Sequence, residues 1–193
     1  MPIVDLVVEV HNALDELGMS HAFGGALALA YHAEPRGTDD IDVNVFLPFS
    51  ERVQFVEAFA ATGFSPEGDP EAGPPFGGIR LRRSEDPSPL DVFLSVDESV
   101  YGEIESRVLR FPFGADGTSL PFLSAEDLAV FKLSFNRDQD WVDLRRLVEQ
   151  RGDLDLGYIE RQLVALRGPL MYQRTARLRA LARNSAAPGT PEL

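Results

Sequence analysis

The chain contains no cysteine, only one lysine and no long apolar run. Among its 193 residues the cysteine count is zero, which excludes disulfides, zinc ribbons and thiol nucleophiles. No apolar stretch approaches the roughly 20 residues that a membrane-spanning helix needs, and no signal peptide opens the chain. We therefore expect a soluble, cytoplasmic protein with no membrane partner and no disulfide partner.

Positive charge is also scarce, with 18 Lys and Arg residues against 31 Asp and Glu residues and a formal net charge of −13. Such a balance argues against broad contact with a nucleic-acid backbone, which needs a basic surface. The exception is a C-terminal stretch without acids between Glu160 and Glu192. Its arginines are Arg161, Arg167, Arg174, Arg177, Arg179 and Arg183. They suit an RNA acceptor, an acidic partner protein or the acidic body of this same chain.

The most informative block holds two carboxylates two residues apart. Residues 41–47, Ile-Asp-Val-Asn-Val-Phe-Leu, are rich in β-branched and apolar side chains and predict a strand. Alternation places Asp40, Asp42 and Asn44 on one face and the apolar side chains on the other. Neighbouring carboxylates repel each other unless a cation lies between them, and Mg²⁺ with a phosphate meets that need. The block therefore indicates metal-dependent nucleotide chemistry.

A glycine pair precedes this block. Gly24 and Gly25 lie between the apolar pair Ala22-Phe23 and a helix-like stretch at 26–31. Glycines at a strand-to-helix turn let backbone N–H groups approach an anion, and the helix dipole favours negative charge there. Alone, a glycine pair is more often a simple turn, and an acid pair is more often a solvated face. Their succession, with an Arg-x-Thr loop between them, indicates a phosphate and metal site.

A further acid occurs on a second predicted strand. Residues 78–83 alternate as a strand does, 84–89 predict a turn, and 90–96 form an apolar strand that carries Asp91. A carboxylate on such a strand is costly unless it is paired or bound to metal. Two interpretations of Asp91 stay open. In the first, it contacts water or an arginine of the hairpin that these two strands form. In the second, it belongs to the acidic site.

The only lysine, Lys132, lies in a segment predicted to be helical, while the other seventeen cations are arginines. An ammonium group is a compact, movable charge that suits a phosphate. The alternative is a surface charge on a salt-bridged helix. Asp140 follows at a distance from which it can orient Lys132. The three histidines, His11, His21 and His32, have no metal-ligand spacing.

Together these residues resemble a known signature. Gly24-Gly25 followed by Arg36-Gly-Thr38-Asp-Asp40-Ile-Asp42 is similar to the pattern of the DNA polymerase β-type nucleotidyltransferase superfamily, and within it to the AbiEii/AbiGii toxin-like proteins. The order of Lys132, Arg137, Asp138, Asp140 and Asp143 resembles a later segment of those proteins.

The resemblance implies roles for individual residues. Asp40, Asp42 and Asp91 would be the catalytic residues and the Mg²⁺ ligands, with Asp91 orienting or deprotonating the acceptor hydroxyl. The nucleotide-binding residues would be Gly24, Gly25, Arg36, Thr38, Lys132 and Asp140. Arg36 is either a clamp on Asp40 or a nucleotide contact. The superfamily often has serine where this chain has Gly25, so any phosphate contact there would be made by the backbone. Asp143 is interpreted as a structural partner of Arg145 or Arg146.

The predicted fold class is α/β, a nucleotidyltransferase fold with a mixed β-sheet flanked by helices and a helical C-terminal part. Residues 1–122 form the predicted core, 123–184 the helical region and 185–193 a disordered tail. Helices are predicted at 3–18, 51–61 (opened by Ser50), 97–106, 124–150, 155–166 and 169–184. Further strands are predicted at 107–112 and 118–122, and 63–78 is predicted to be a long loop.

The predicted function is Mg²⁺-dependent transfer of a nucleotide from an NTP such as ATP to a tRNA 3′ end or a protein. The protein would be the toxin of a toxin–antitoxin or phage-defence system, with a cognate antitoxin as partner. Two alternatives stay open. One is an antibiotic nucleotidyltransferase of the aminoglycoside or lincosamide type, and the other is a non-catalytic binding protein that retains the fold.

Overall fold

The fold is that of a computed structural model, which describes residues 2–69, 78–84 and 86–186. The chain divides into two compact units. Of the described residues, those up to Ala28 and from Gly37 to Ser124 form the first unit. Those from Leu29 to Arg36 and from Ala125 onward form the second.

A seven-stranded mixed sheet dominates the described part of the first unit. Its strands are β1 (His21–Phe23), β2 (Ile41–Pro48), β3 (Ser65–Pro66), β4 (Gly78–Arg83), β5 (Asp86–Ser95), β6 (Leu109–Phe113) and β7 (Thr118–Phe122). The spatial order is β3-β4-β5-β2-β1-β7-β6. Strand β2 runs parallel to β5 and antiparallel to β1, and β4 runs antiparallel to β5. The predicted α/β class with a mixed sheet is confirmed.

The centre of the sheet follows from alternation along its strands. On β2, Ile41, Val43 and Val45 are fully buried, as the apolar face predicts. Leu90 and Leu94 on β5 are fully buried as well. The burial of these side chains fixes the register of β2 against β5, because a slip of one residue would turn each of them to the opposite face.

Helices α1 (Ile3–Glu16), α3 (Arg52–Phe59) and α4 (Glu98–Ser106) belong to the first unit, and α2 (Gly25–His32) begins in it. Helix α1 ends just before Gly18, which has a φ of +67°, as its sequence predicts. Helix α4 is capped by Asp97, whose carboxylate accepts from Val100 N at 3.0 Å. The predicted cap at Ser50 is wrong, because a 3₁₀ turn at Phe49–Glu51 precedes α3 and contains that serine.

The second unit contains helices α5 (Ala125–Phe135), α6 (Asp138–Gln150), α7 (Leu156–Arg167) and α8 (Tyr172–Ala186). A single helix over 124–150 was predicted, and this is wrong because the chain breaks at Asn136. That residue has a φ of +60°, and its Oδ1 accepts from Trp141 Nε1 at 2.9 Å. A left-handed residue ends a right-handed helix, and asparagine tolerates that conformation.

The ends of three predicted segments also differ. Strand β5 begins at Asp86, inside the turn predicted at 84–89. Helix α8 reaches Ala186, two residues into the tail predicted to be disordered, and 187–193 lie outside the described residues. Strand β3 lies within the predicted loop at 63–78, of which 70–77 are outside the described residues. Within the described parts of the chain, no helix combines the length and apolarity that crossing a membrane requires.

Candidate active site

Three charged side chains lie side by side across β4, β5 and β2, and we call them the charged row. Arg80 of β4 is the register neighbour of Asp91 on β5, and Asp91 is the register neighbour of Asp42 on β2. Side chains directly opposite each other in paired strands point to the same face. The row therefore runs cation, carboxylate, carboxylate across the sheet, with Asp40 immediately before β2.

Arg80 and Asp91 form a bidentate ion pair. Arg80 Nε donates to Asp91 Oδ1 at 2.7 Å and Arg80 Nη2 donates to Oδ2 at 2.6 Å. The hydrogen bonds to Asp91 hold the pKa of the Arg80 guanidinium above its ordinary value, against the effect of burial, and the charges of Glu67 and Asp40 act in the same direction as Asp91. Asp91 thus meets an arginine of the hairpin, and its metal-binding role stays a prediction.

Asp40 is held by its own loop. Thr38 Oγ1 donates a short hydrogen bond to Asp40 Oδ1, and Asp40 N donates to Thr38 Oγ1 at 3.4 Å. Such a local side-chain turn fixes the carboxylate beside the start of β2. The contact gives Thr38 a structural task, while its nucleotide-binding role stays a prediction.

The glycine pair is in close contact with Asp42. Gly24 N donates to the Asp42 carbonyl at 2.9 Å, and α2 begins at Gly25, which has a φ of +53°. A Cβ added at Gly25 would lie 1.8 Å from Asp42 Oδ2. Only glycine combines this backbone angle with this close approach. The Asp42 carboxylate thus occupies the space that a serine side chain would need.

Asn44 is a site residue to which the sequence assigned no role. It follows Asp42 by two residues on β2, is 2% exposed, and its Oδ1 accepts no hydrogen bond from any described residue. Its Nδ2 would be 3.2 Å from a Cβ added at Gly24. The sequence signal for Asn44 was strand alternation, which placed it on the acidic face. A buried hydrogen-bond acceptor without a donor is uncommon in folded proteins.

The second unit contains a different set of charges, the buried ion cluster of Arg36, Lys132, Asp140 and Asp143. Lys132 Nζ lies 2.5 Å from Asp143 Oδ2 and 3.8 Å from Asp140 Oδ1. Arg36 Nε donates to Asp143 Oδ1 at 3.1 Å, and Gln139 Nε2 donates to the same oxygen at 3.0 Å. Burial alone would raise the pKa of Asp143, but the hydrogen bonds from Lys132 and Arg36 outweigh it and lower that pKa.

The predicted site residues therefore fall into two groups. Gly24, Gly25, Thr38, Asp40, Asp42 and Asp91 belong to the first unit, whereas Arg36, Lys132 and Asp140 belong to the second. Lys132 is 4% exposed, so the alternative of a surface charge is wrong. Asp143 is an ion-pair residue as predicted, but its partners are Lys132 and Arg36. The nucleotide-binding roles of Arg36, Lys132 and Asp140 stay predictions.

Several arginines of the basic C-terminal segment contact the second unit itself. Arg174 Nη1 donates to two backbone carbonyls near the end of α5 at 2.6 and 2.9 Å. Arg177 stacks on the Trp141 ring at 3.7 Å, and Arg179 lies 3.4 Å from Glu160. These contacts favour the interpretation that the segment binds the chain's own body.

The donor chemistry of the charged row suits a hard cation. Asp42 and Asp91 offer carboxylate oxygens at neighbouring register positions, and such oxygens are the ligands that Mg²⁺ prefers. Within 2–69, 78–84 and 86–186, no three His, Cys, Asp or Glu side chains are grouped as a metal site. The cation that contacts Asp91 is the Arg80 guanidinium.

Comparisons with known proteins bear on the fold. No family model matches the chain, and no curated protein matches it. A crystal structure of ANT(2'')-Ia in complex with adenylyl-2''-tobramycin matches over 97% of this chain and 100% of its own, at 17% identity and a TM-score of 0.53. A lincomycin-bound structure of the lincosamide antibiotic adenylyltransferase LnuA matches over 73% of this chain and 93% of its own, at 13% identity and a TM-score of 0.52. The chain has the nucleotidyltransferase fold.

Proposed function

We propose that this protein is a Mg²⁺-dependent nucleotidyltransferase, which moves a nucleotide from an NTP to an acceptor hydroxyl. The observation that carries the proposal is the position of the Asp42 carboxylate. It lies against Gly25 at the start of α2 and beside Asp91 on the next strand. A carboxylate pair and a helix N-terminus in one place suit a metal-bound triphosphate.

The triphosphate would be bound by backbone groups. Gly24 N donates to the Asp42 carbonyl, and the first helical bond runs from Ala28 N to the Gly24 carbonyl at 2.9 Å. The amides of Gly25, Ala26 and Leu27 are therefore the donors that a helix start presents to an anion. A backbone cradle needs no serine hydroxyl, which is consistent with glycine at position 25.

Asp40, Asp42 and Asp91 would hold the metal. Bound Mg²⁺ would neutralise the phosphate charge that develops during transfer. The acceptor oxygen forms a bond to the α-phosphorus, the bond from that phosphorus to the bridging oxygen breaks, and pyrophosphate leaves. Asp91 accepts the proton of the acceptor hydroxyl, a role that requires its carboxylate to be released from Arg80.

For the acceptor, we favour a small hydroxylated molecule over a polymer. The net charge of −13 disfavours RNA, and Arg174, Arg177 and Arg179 of the basic segment are engaged within their own unit. Two proteins of the same fold are described in complexes with adenylyl-2''-tobramycin and lincomycin. A tRNA or protein acceptor, an AbiEii-like toxin role and a cognate antitoxin rest only on the sequence pattern.

The test is label transfer by the purified full chain. The protein is incubated with Mg²⁺ and each α-³²P-NTP, together with tobramycin, lincomycin, bulk tRNA or a cell lysate. We expect label on a small acceptor, and we expect Asp42→Asn to lower the rate at least about 100-fold, because it removes a metal ligand.

Asp39→Asn is the matched control, since Asp39 is exposed, lies three residues away and carries the same charge. It should retain nearly full activity. Label on tRNA or protein would show that the acceptor is that polymer and not a small molecule. No transfer to any acceptor, together with unchanged Mg²⁺-ATP binding in Asp42→Asn, would contradict the proposed function.

A further inference from the structure

We propose that Arg80 is the resident counter-ion of Asp91, and that a metal ion chelated by Asp91 displaces it. The inference rests on the proposed function, in which Asp91 is a metal ligand. It assigns Arg80 a positioning role that the sequence did not indicate. Metal affinity would then be set by a competition between the ion and a side chain of the same sheet.

The contact geometry makes the competition direct. Nε and Nη2 of Arg80 each engage a different oxygen of Asp91, at 2.7 and 2.6 Å. A bidentate pair uses one in-plane lone pair of each oxygen, and these are the positions that a metal ion chelated by both oxygens would take. Asp91 therefore cannot keep both hydrogen bonds and also chelate a metal ion through both oxygens.

Exposure makes the exchange feasible. The Arg80 side chain is 45% exposed and that of Asp91 is 17% exposed, so the guanidinium can turn into solvent without opening the core. Exposed ion pairs contribute little net stability, because water solvates the separated charges well. The carboxylate, which is the more enclosed partner, stays on the sheet and gains a cation of higher charge.

Displacement also leaves a useful charge at the site. Arg80 lies on the same face as Asp42 and Asp91, because the three are register neighbours. Once released, its guanidinium remains tethered to β4 beside the row. A planar, permanently charged group in that place suits the phosphate oxygens of the incoming NTP. On metal binding, the Arg80 guanidinium would exchange its ion pair with Asp91 for contacts with the phosphate oxygens of the substrate.

The test measures Mn²⁺ binding to the full chain without nucleotide, by electron paramagnetic resonance of the free ion. We expect Arg80→Gln to bind Mn²⁺ about fivefold more tightly than the wild type, the factor that corresponds to about 1 kcal/mol, the upper end for a partly exposed ion pair. Arg82→Gln is the matched control. Arg82 lies two residues along β4, is similarly exposed and pairs with Glu67 instead, so its affinity should change by less than about twofold.

Arg80→Lys is a second variant, which tests the inference even if Arg80→Gln fails to fold. It keeps the charge but loses the bidentate geometry, and its affinity should lie between those of the wild type and Arg80→Gln. Thermal denaturation gives a second readout. Metal-free Arg80→Gln should melt below the wild type, because Asp91 loses its paired cation, and Mn²⁺ should reverse the loss.

The outcomes separate the inference from the proposed function. If Asp42→Asn abolishes Mn²⁺ binding while Arg80→Gln leaves it unchanged or weaker, the metal site stands and the counter-ion role of Arg80 is overturned. If Arg80→Gln binds Mn²⁺ and the wild type does not, Arg80 blocks the site and the inference is supported in its strongest form. If neither binds Mn²⁺, both the metal site and the counter-ion role are overturned.

Discussion

The charged row of the first unit and the buried ion cluster of the second use the same chemical groups in opposite ways. In the row, Asp91 is held by one arginine that is nearly half exposed. In the cluster, Asp143 is fully buried and is held by Lys132, Arg36 and Gln139. Solvent can replace a partner in the first arrangement, but it does not reach the contact between Lys132 and Asp143 in the second, whose side chains are 4% and 0% exposed.

The difference separates a carboxylate that can exchange partners from one that cannot. An ion pair at the surface costs little to open, whereas removing one partner of a buried pair leaves an uncompensated charge. Sequence gives both acids the same appearance, an aspartate with a nearby cation. Burial decides which of them is available for chemistry.

The largest effect should come from opening the buried ion cluster. Asp143→Asn leaves Lys132 in the interior without its closest carboxylate, so we expect the free energy of unfolding to fall by about 3–5 kcal/mol. Urea denaturation of the full chain measures it. The exposed Glu149→Gln, on the same helix, should change it by less than about 0.5 kcal/mol.

Asp91→Asn is the matching change in the charged row. Because the Arg80 pair is partly exposed, we expect a loss below about 1 kcal/mol in the same assay. Equal losses of unfolding free energy for Asp91→Asn and Asp143→Asn would show that burial does not distinguish the charged row from the buried ion cluster.

A buried pair of histidines in the first unit shows how burial affects stability where no ion pair is formed. His11 Nδ1 and His21 Nε2 are 2.8 Å apart, and His21 Nδ1 lies 2.9 Å from the Met19 carbonyl. Burial lowers the pKa of His11 and brings that of His21 to about 4. Below pH 6.5 the unfolded chain therefore binds more protons than the folded protein does. The contribution of His21 to the free energy of unfolding is complete above that pH and is lost as the pH falls towards 4.

We expect this protonation to remove about 2 kcal/mol of unfolding free energy between pH 7 and pH 5. Denaturant titrations at the two pH values measure the loss. His21→Gln cannot be protonated, so its stability should depend less on pH over that range. An identical pH slope in the variant would assign the effect to the carboxylates.

A modest change in stability should accompany a change at the site in Gly25→Ala. Gly25→Ala forces a side chain into left-handed backbone and against Asp42, and should cost about 1–2 kcal/mol of unfolding free energy. Displacement of the Asp42 carboxylate should also weaken Mn²⁺ binding. Gly102→Ala is the control, since its Cβ position has no atom within 4 Å apart from the neighbouring residues and backbone of α4. Unchanged Mn²⁺ affinity in Gly25→Ala would show that Asp42 tolerates the shift.

Local patterns predicted most elements of the fold. Alternation placed β2 and its buried Ile41, Val43 and Val45, and Gly18 marked the end of α1. The boundary at Asn136 was missed because no proline or glycine marks it and apolar residues continue on both sides. The turn there is held by a local side-chain hydrogen bond from Trp141, five residues further along the chain, which no sequence pattern specifies.

The candidate site was predicted in part. Strand and turn patterns placed Asp42, Asp91 and Gly25 on the elements where the structure has them, while their roles were implied by the resemblance and stay predictions. The hairpin register that sets Arg80 opposite Asp91 was not assigned, although alternation along 78–83 put Arg80 and Arg82 on a single face. The burial of Lys132 was missed because its closest partner, Asp143, lies on a separate helix that the sequence pattern had joined to the helix of Lys132. The second cation on Asp143, Arg36, is remote in sequence.

The break at Asn136 has a consequence for distance along the chain. In one uninterrupted helix, the eleven residues from Lys132 to Asp143 would span about 16 Å of axial rise. The break between α5 and α6, with Asn136 left-handed and Arg137 extended, allows their charged atoms to lie 2.5 Å apart. A buried ion pair of the second unit therefore depends on the backbone conformation of two residues that take no part in that pair.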